Sequence, residues 1–245
     1  MWLAGGPALL QADELPEGFV RLSEVAPAIA TDIRYARAFN FTGAIVAGYQ
    51  SAECILRDHV ARALLRVEAR LNADGYGLIL WDCYRPARAV RHFVDWAETG
   101  NGPDMGSYFF PDFRREDLSP QGYVARKSSH STGTAVDLGL IRLSDLQMRP
   151  TEDFGTRCDA PFDARPPETG LDMGTAFDCF SPLSGEGAGV SAEAQANRRR
   201  LAQAMAAEGF QGYSAEWWHF RLPLDGAEPA DFPVTKASSR LVING

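Results

Sequence analysis

Histidine and cysteine are scarce in this chain. Of 245 residues, four are histidine and four are cysteine, so each candidate metal ligand can be weighed individually. No two cysteines form a Cys-x-x-Cys pair, which excludes a thiolate zinc ribbon. There is no long basic block, and Lys+Arg 24 against Asp+Glu 32 leaves a net charge of −8. Nucleic acid is therefore not an expected partner. No uncharged apolar stretch approaches the ~18 residues of a membrane span, so membrane insertion is not expected either. No internal repeat, low-complexity tract or compositional shift marks a second domain. What remains is ordinary globular composition, 45% hydrophobic and 23% charged, in a length that one domain with a substantial core can use.

Hydrophobic spacing divides the chain. Residues 1–12 are uncharged and rich in small side chains. They read as a signal-peptide remnant or a tail, ahead of one domain over 13–245. Asp32 to Ala36 reads as a short strand. Leu56, Val60, Ala63, Leu64, Val67 and Leu71 recur at helical spacing, and Asn72, Asp74 and Gly75 end that helix. Residues 77–84 have a strand's length and apolarity. Pro86 opens a second helix to about Trp96, and 98–122 read as a long loop. Residues 134–143 form another strand. Residues 148–190 are too rich in proline and glycine for regular elements. Ser191 caps a third helix that stops at Gly209, and a last strand region holds 216–220. With no βαβ alternation, this order predicts an α+β fold: a small antiparallel sheet flanked by helices.

The four histidines divide into two pairs. His59 and His92 lie on predicted helices among charged residues and read as ordinary helix histidines. His130 sits beside Gly133, seven residues before Asp137, a carboxylate in the apolar run Ala135 to Leu140. A buried carboxylate needs a partner; a metal ion is one, and an ordinary salt bridge is the alternative. His219 lies in Glu216-Trp217-Trp218-His219, where two tryptophans make a low-dielectric pocket. Glu216 and His219 are three apart, so on an ideal strand they face opposite sides, and joint action requires a bend. His130, Asp137 and His219 together supply the N/O set of a catalytic zinc site with an open fourth position. Glu216 is then placed to take a proton from the bound water.

Ser128-x-His130-x-x-Gly133-x-Ala135-x-Asp137 followed by Glu216-Trp217-Trp218-His219 resembles the zinc D-alanyl-D-alanine dipeptidases, the VanX-type members of peptidase family M15. Asn40 to Gly43, Gly48-Tyr49, Tyr84-Arg85-Pro86 and Asn197 to Arg200 extend the likeness over roughly 20–233. The resemblance implies that the sheet carries the zinc site. It implies one zinc per chain on His130, Asp137 and His219, with Glu216 as general base and Arg85 stabilising the oxyanion. It further implies a small D,D-dipeptide pocket lined by Ser128, Tyr35, Tyr49 and Asp178, with Asp178 facing the substrate ammonium. Two other readings stand beside it: a D,D- or L,D-carboxypeptidase acting on longer peptidoglycan peptides, and a non-catalytic zinc-binding module.

Two features bear on setting and selectivity. The stretch 148–171, including Cys158, looks longer than in compact relatives of this type and lies just before Asp178, so it bears on substrate range. The even cysteine count and the signal-like start predict two bridges, Cys54–Cys83 and Cys158–Cys179, and export to the periplasm or cell envelope; four reduced thiols in a cytoplasmic enzyme are the alternative. Glycopeptide resistance and recycling of wall fragments are both compatible with the chemistry.

Overall fold

The computed structural model describes residues 14–145 and 155–237; the signal-like start and residues 148–154 lie outside them. In chain order the elements are β1 (Phe19–Arg21), α1 (Leu22–Val25), β2 (Ala30–Thr31), β3 (Ile55–Arg57), α2 (Asp58–Asn72), β4 (Tyr76–Asp82), α3 (Ala87–Thr99), α4 (Gly106–Phe109), β5 (Ala135–Arg142), α5 (Ala192–Ala206), β6 (Gln211–Tyr213) and β7 (Glu216–Arg221).

The main sheet runs β2-β4-β5-β7-β6, while β1 and β3 form a separate antiparallel pair. The apolar face of α2, with Val60, Ala63, Leu64 and Val67 fully buried, explains why this segment is a helix. Each such side chain removed from water contributes about 1.5–3 kcal/mol for the larger ones. Gly75 terminates the turn after α2 with φ +79°, a left-handed conformation that favours glycine. β4 and β5 are buried almost throughout, as central strands should be.

Three expectations need correction. The sheet is not wholly antiparallel, because β2 runs parallel to β4. A parallel pair needs a long crossover, and the chain between them, including α2, provides it. Asp32 to Ala36 is not a strand: Arg34–Ala36 is a 3₁₀ turn, and the strand lies just before it at Ala30–Thr31. The Asp32 N–H still donates to the Leu80 carbonyl at 2.8 Å, and the chain then turns through backbone bonds from Ala36 to Ile33 and from Arg37 to Arg34. The loop over 98–122 also contains the short helix α4 and a 3₁₀ turn at Arg115–Asp117.

Both expected bridges are present, Cys54–Cys83 with Cα atoms 5.3 Å apart and Cys158–Cys179 at 5.4 Å. The first ties the start of β3 to the end of β4. The C-terminal segment returns to the same region. Phe232 stacks on Tyr84, ring centroids 4.2 Å apart, and Asp231 accepts from the Arg88 backbone N–H at 2.7 Å. Pro86 offers no side-chain cap to α3, so Asp231 satisfies one of its unpaired N–H groups instead. The chain flanking Arg85 is thereby held on both sides.

Candidate functional site

The site grows out of one turn and two strand registers. Ser128 accepts the His130 N–H at 3.2 Å and so caps the 3₁₀ turn Ser129–Thr132. Gly133 then reverses the chain at φ +74°, and a Cβ there would meet Phe19 at 2.4 Å. Only glycine fits both demands. The reversal leads into β5, where Asp137 pairs with Asp82 of β4 on one side and with His219 of β7 on the other.

Three ligand atoms converge as a result. His130 Nε2 lies 3.2 Å from Asp137 Oδ1 and 3.1 Å from His219 Nδ1, and the last two are 3.0 Å apart. His130 Nδ1 donates to the Cys83 carbonyl at 2.7 Å, which leaves Nε2 with its lone pair facing the cluster. Three potential ligand atoms gathered this closely can share one cation. A tetrahedral zinc with bonds of ~2.0–2.1 Å has ligand–ligand edges of about 3.3 Å, close to the separations here. The residues therefore fit the metal in chemistry and in size. Burial opposes ionisation of Asp137, but the two histidines outweigh it and hold this carboxyl well below its usual range.

The bend expected at Glu216 is an irregularity in the β6–β7 ladder. Gly212 pairs with Phe220, yet the next residue, Tyr213, pairs with Glu216, leaving Trp217, Trp218 and His219 without partners on β6. That slip lets Glu216 and His219 line the same cavity. Burial, reinforced by Asp137, pushes Glu216 up to about 7, against the pull of His219 and Arg85.

The cavity is small, about 280 Å³, below the ~300–1,000 Å³ usual for drug-sized ligands. Its walls bring together Arg85, Ser128, Tyr35 and Asp178 with the metal cluster and Glu216. Arg85 donates to Asp82 through Nε at 2.9 Å and approaches Asp137 at 3.4 Å. It lies over the Tyr35 and Phe93 rings, 5.1 Å from each centroid. Asp178 accepts from the Tyr35 hydroxyl at 2.8 Å, and no described cation lies within ion-pair distance of it. Burial and then Asp137 push Asp178 well above the usual carboxylate range, while Tyr35 and Arg85 act in the opposite direction. A ligand ammonium would supply the missing charge.

Tyr49 departs from expectation. It does not line the cavity; its hydroxyl donates to Asp82 at 2.5 Å. Asp82 itself was missed at the sequence level. It is completely buried and holds both Arg85 and Tyr49. Its signal was available, since it sits in an apolar run as Asp137 does. His59 and His92 lie away from the site, as expected; His92 Nδ1 accepts the Ala47 N–H at 2.9 Å.

Known proteins resemble this chain over most of its length. The peptidase M15 family model, described as D-ala-D-ala dipeptidase, matches residues 16–169 and 168–236. The chain is 37% identical over 221 residues to a D-alanyl-D-alanine dipeptidase of Enterococcus faecium, covering 89% of this chain and 98% of that one. It is 33% identical over 219 residues to one of Streptomyces coelicolor, covering 88% and 98%. A third, from Escherichia coli, is 30% identical over 211 residues, covering 86% and 87%.

Proposed function

The chain belongs to peptidase family M15, and from that premise we propose that it is a zinc-dependent dipeptidase cleaving D-Ala-D-Ala into two D-alanines. The carrying observation is the arrangement of one cavity. The three convergent ligand atoms, Arg85, Glu216 and Asp178, a buried carboxyl that forms no ion pair with a described residue, line the same small space.

His130, Asp137 and His219 hold the metal. Zinc, when bound there, supplies Lewis acidity and a water acidic enough to ionise near neutral pH. Glu216 takes the water's proton as it attacks the scissile carbonyl, then delivers it to the leaving amine. Burial raises its proton affinity, which suits a group that must accept a proton and then return it. Arg85 donates to the carbonyl oxygen as negative charge develops on it. Asp82 aims Arg85, and Tyr49 in turn fixes Asp82. Asp178 and Tyr35 receive the substrate ammonium, and Ser128 lines the pocket beside the metal ligands.

Asp178 also argues against the carboxypeptidase reading. An extended peptide places a neutral amide and more chain against Asp178, losing the charge-assisted hydrogen bond that a free ammonium makes and leaving this buried carboxyl without a cationic partner. The presence of both Glu216 and Arg85 in the cavity argues against a non-catalytic module. The two bridges support export, since such bonds rarely persist in a reducing cytosol.

The test is hydrolysis of D-Ala-D-Ala, N-acetyl-D-Ala-D-Ala and a wall pentapeptide side by side. The free dipeptide is expected to exceed the other two in kcat/KM by more than about a hundredfold. Comparable rates on pentapeptide and dipeptide would assign a carboxypeptidase instead.

A further inference from the structure

Asp178 is the one non-glycine described residue with a left-handed backbone, φ 59°. L-residues other than glycine, asparagine and aspartate seldom adopt this conformation, and it persists only where the surroundings impose it. The segment around it, 172–185, contains no strand and no α-helix. No hydrogen-bond ladder therefore sets its shape.

What sets the shape is a group of stakes. The neighbouring residue, Cys179, is bridged to Cys158, and both are fully buried. Cys158 is itself immobilised: its N–H donates to the Tyr108 carbonyl at 3.1 Å, and its carbonyl accepts from Ala176 at 2.8 Å and from Arg165 at 3.2 Å. On the far side of the loop, Arg198 of α5 donates to the carbonyls of Met173, Leu183 and Gly185 at 2.7, 2.8 and 2.9 Å. Its charge is spent on loop carbonyls that flank Asp178 in sequence. The bridge thus fastens the 155–171 stretch to the residue next to Asp178, while α5 fastens the ends of the loop.

We propose that the Cys158–Cys179 bridge, with Arg198, is a specificity-determining positioning device that keeps the Asp178 carboxylate aimed at the substrate's amino terminus. The inference rests on the dipeptidase reading above. It adds that selectivity for a free α-ammonium depends on a covalent tie to a segment outside the metal centre. The two bridges then divide the work. Cys54–Cys83 borders the metal side, where the Cys83 carbonyl orients His130, and Cys158–Cys179 borders the ammonium side.

The experiment compares wild type with the double variant Cys158→Ala/Cys179→Ala, measuring zinc content and separate kcat and KM values on D-Ala-D-Ala and N-acetyl-D-Ala-D-Ala. Zinc content and kcat should stay within about threefold. KM for the free dipeptide should rise, and its kcat/KM advantage over the acetylated one should shrink, each by about tenfold or more, the worth of one charge-assisted hydrogen bond. In an Asp178→Asn background the same cysteine changes should leave that advantage unaltered. A folded, zinc-loaded double variant with wild-type KM and advantage would overturn the proposal, as would a fall in kcat at constant KM. Should the double variant not fold, Arg198→Gln, with the bridge intact, must show the same KM-weighted loss; wild-type KM and selectivity there would equally overturn it. Failure of the wild type to cleave D-Ala-D-Ala would instead defeat the dipeptidase reading, so the two failures are distinguishable.

Discussion

Replacing Asp82 by asparagine tests the support of Arg85 while every candidate metal ligand is kept. The substitution keeps shape and removes one buried charge. In the native protein Asp82 receives Arg85 Nε at 2.9 Å and the Tyr49 hydroxyl at 2.5 Å. Without it, the carboxylate nearest Arg85 is Asp137, already 3.4 Å from the guanidinium. Breaking a buried ion pair from one side costs about 3–5 kcal/mol. Arg85 keeps some solvent contact and a second carboxylate neighbour, so the lower end, about 3 kcal/mol, is expected in stability. Deleting an oxyanion donor outright lowers kcat by about 10²–10³-fold. A donor that remains but turns toward Asp137 should lose part of that, about 10- to 100-fold. Zinc content should persist, because no ligand changes and the Cys83 carbonyl still holds His130. The assay is thermal unfolding, metal content and kcat on D-Ala-D-Ala for Asp82→Asn, Arg85→Ala and the double variant. The two losses in kcat should not add, since both act through one guanidinium. Wild-type kcat in Asp82→Asn alongside a large loss in Arg85→Ala would refute the reasoning.

Glu216→Gln should retain zinc and lose about 10²–10⁴-fold in kcat; loss of zinc in this variant would reassign Glu216 as a ligand. The same residue predicts a stability effect in metal-free protein. Its carboxyl is raised to about 7, so between its unfolded value of ~4.3 and 7 the folded state binds the extra proton. Wild-type stability should therefore fall as pH rises through this window, and Glu216→Gln should gain on it, as followed by paired melting curves at pH 5 and pH 8. Equal pH slopes would contradict the assigned burial. Gly133→Ala combines a left-handed backbone, costing about 1–2 kcal/mol, with overpacking against Phe19 of about 1–3 kcal/mol. It should lower both melting temperature and zinc affinity, and unchanged zinc affinity in a competition titration would show that the turn does not position His130.

Much of the site was legible because its parts are local in sequence. Ser128, His130, Gly133 and Asp137 lie on one turn and the strand it feeds, so a glycine and a carboxylate in an apolar run suffice to suggest convergence. The cysteine pairs were legible for a similar reason: Cys54 and Cys83 flank one helix–strand unit. What escaped depends on contacts between distant segments. β2 has two residues and exists because β4 offers it an edge, so no local pattern announces it. Asp32 to Ala36 alternates as a strand does, yet backbone bonds from Ala36 to Ile33 and from Arg37 to Arg34 close a 3₁₀ turn there. Tyr49 was assigned to the pocket wall but is not among the residues that line it; its hydroxyl is committed to the buried Asp82. The hold of Arg198 on Met173, Leu183 and Gly185 spans a helix and a loop with no shared periodicity.

The most direct test of the account is metal reconstitution. Protein stripped by a strong chelator should release no D-alanine from D-Ala-D-Ala. Stepwise return of zinc should restore activity to a plateau at one zinc per chain, and His130→Ala, Asp137→Ala and His219→Ala should each fail to recover. Full turnover by protein verified free of metal would contradict the central claim.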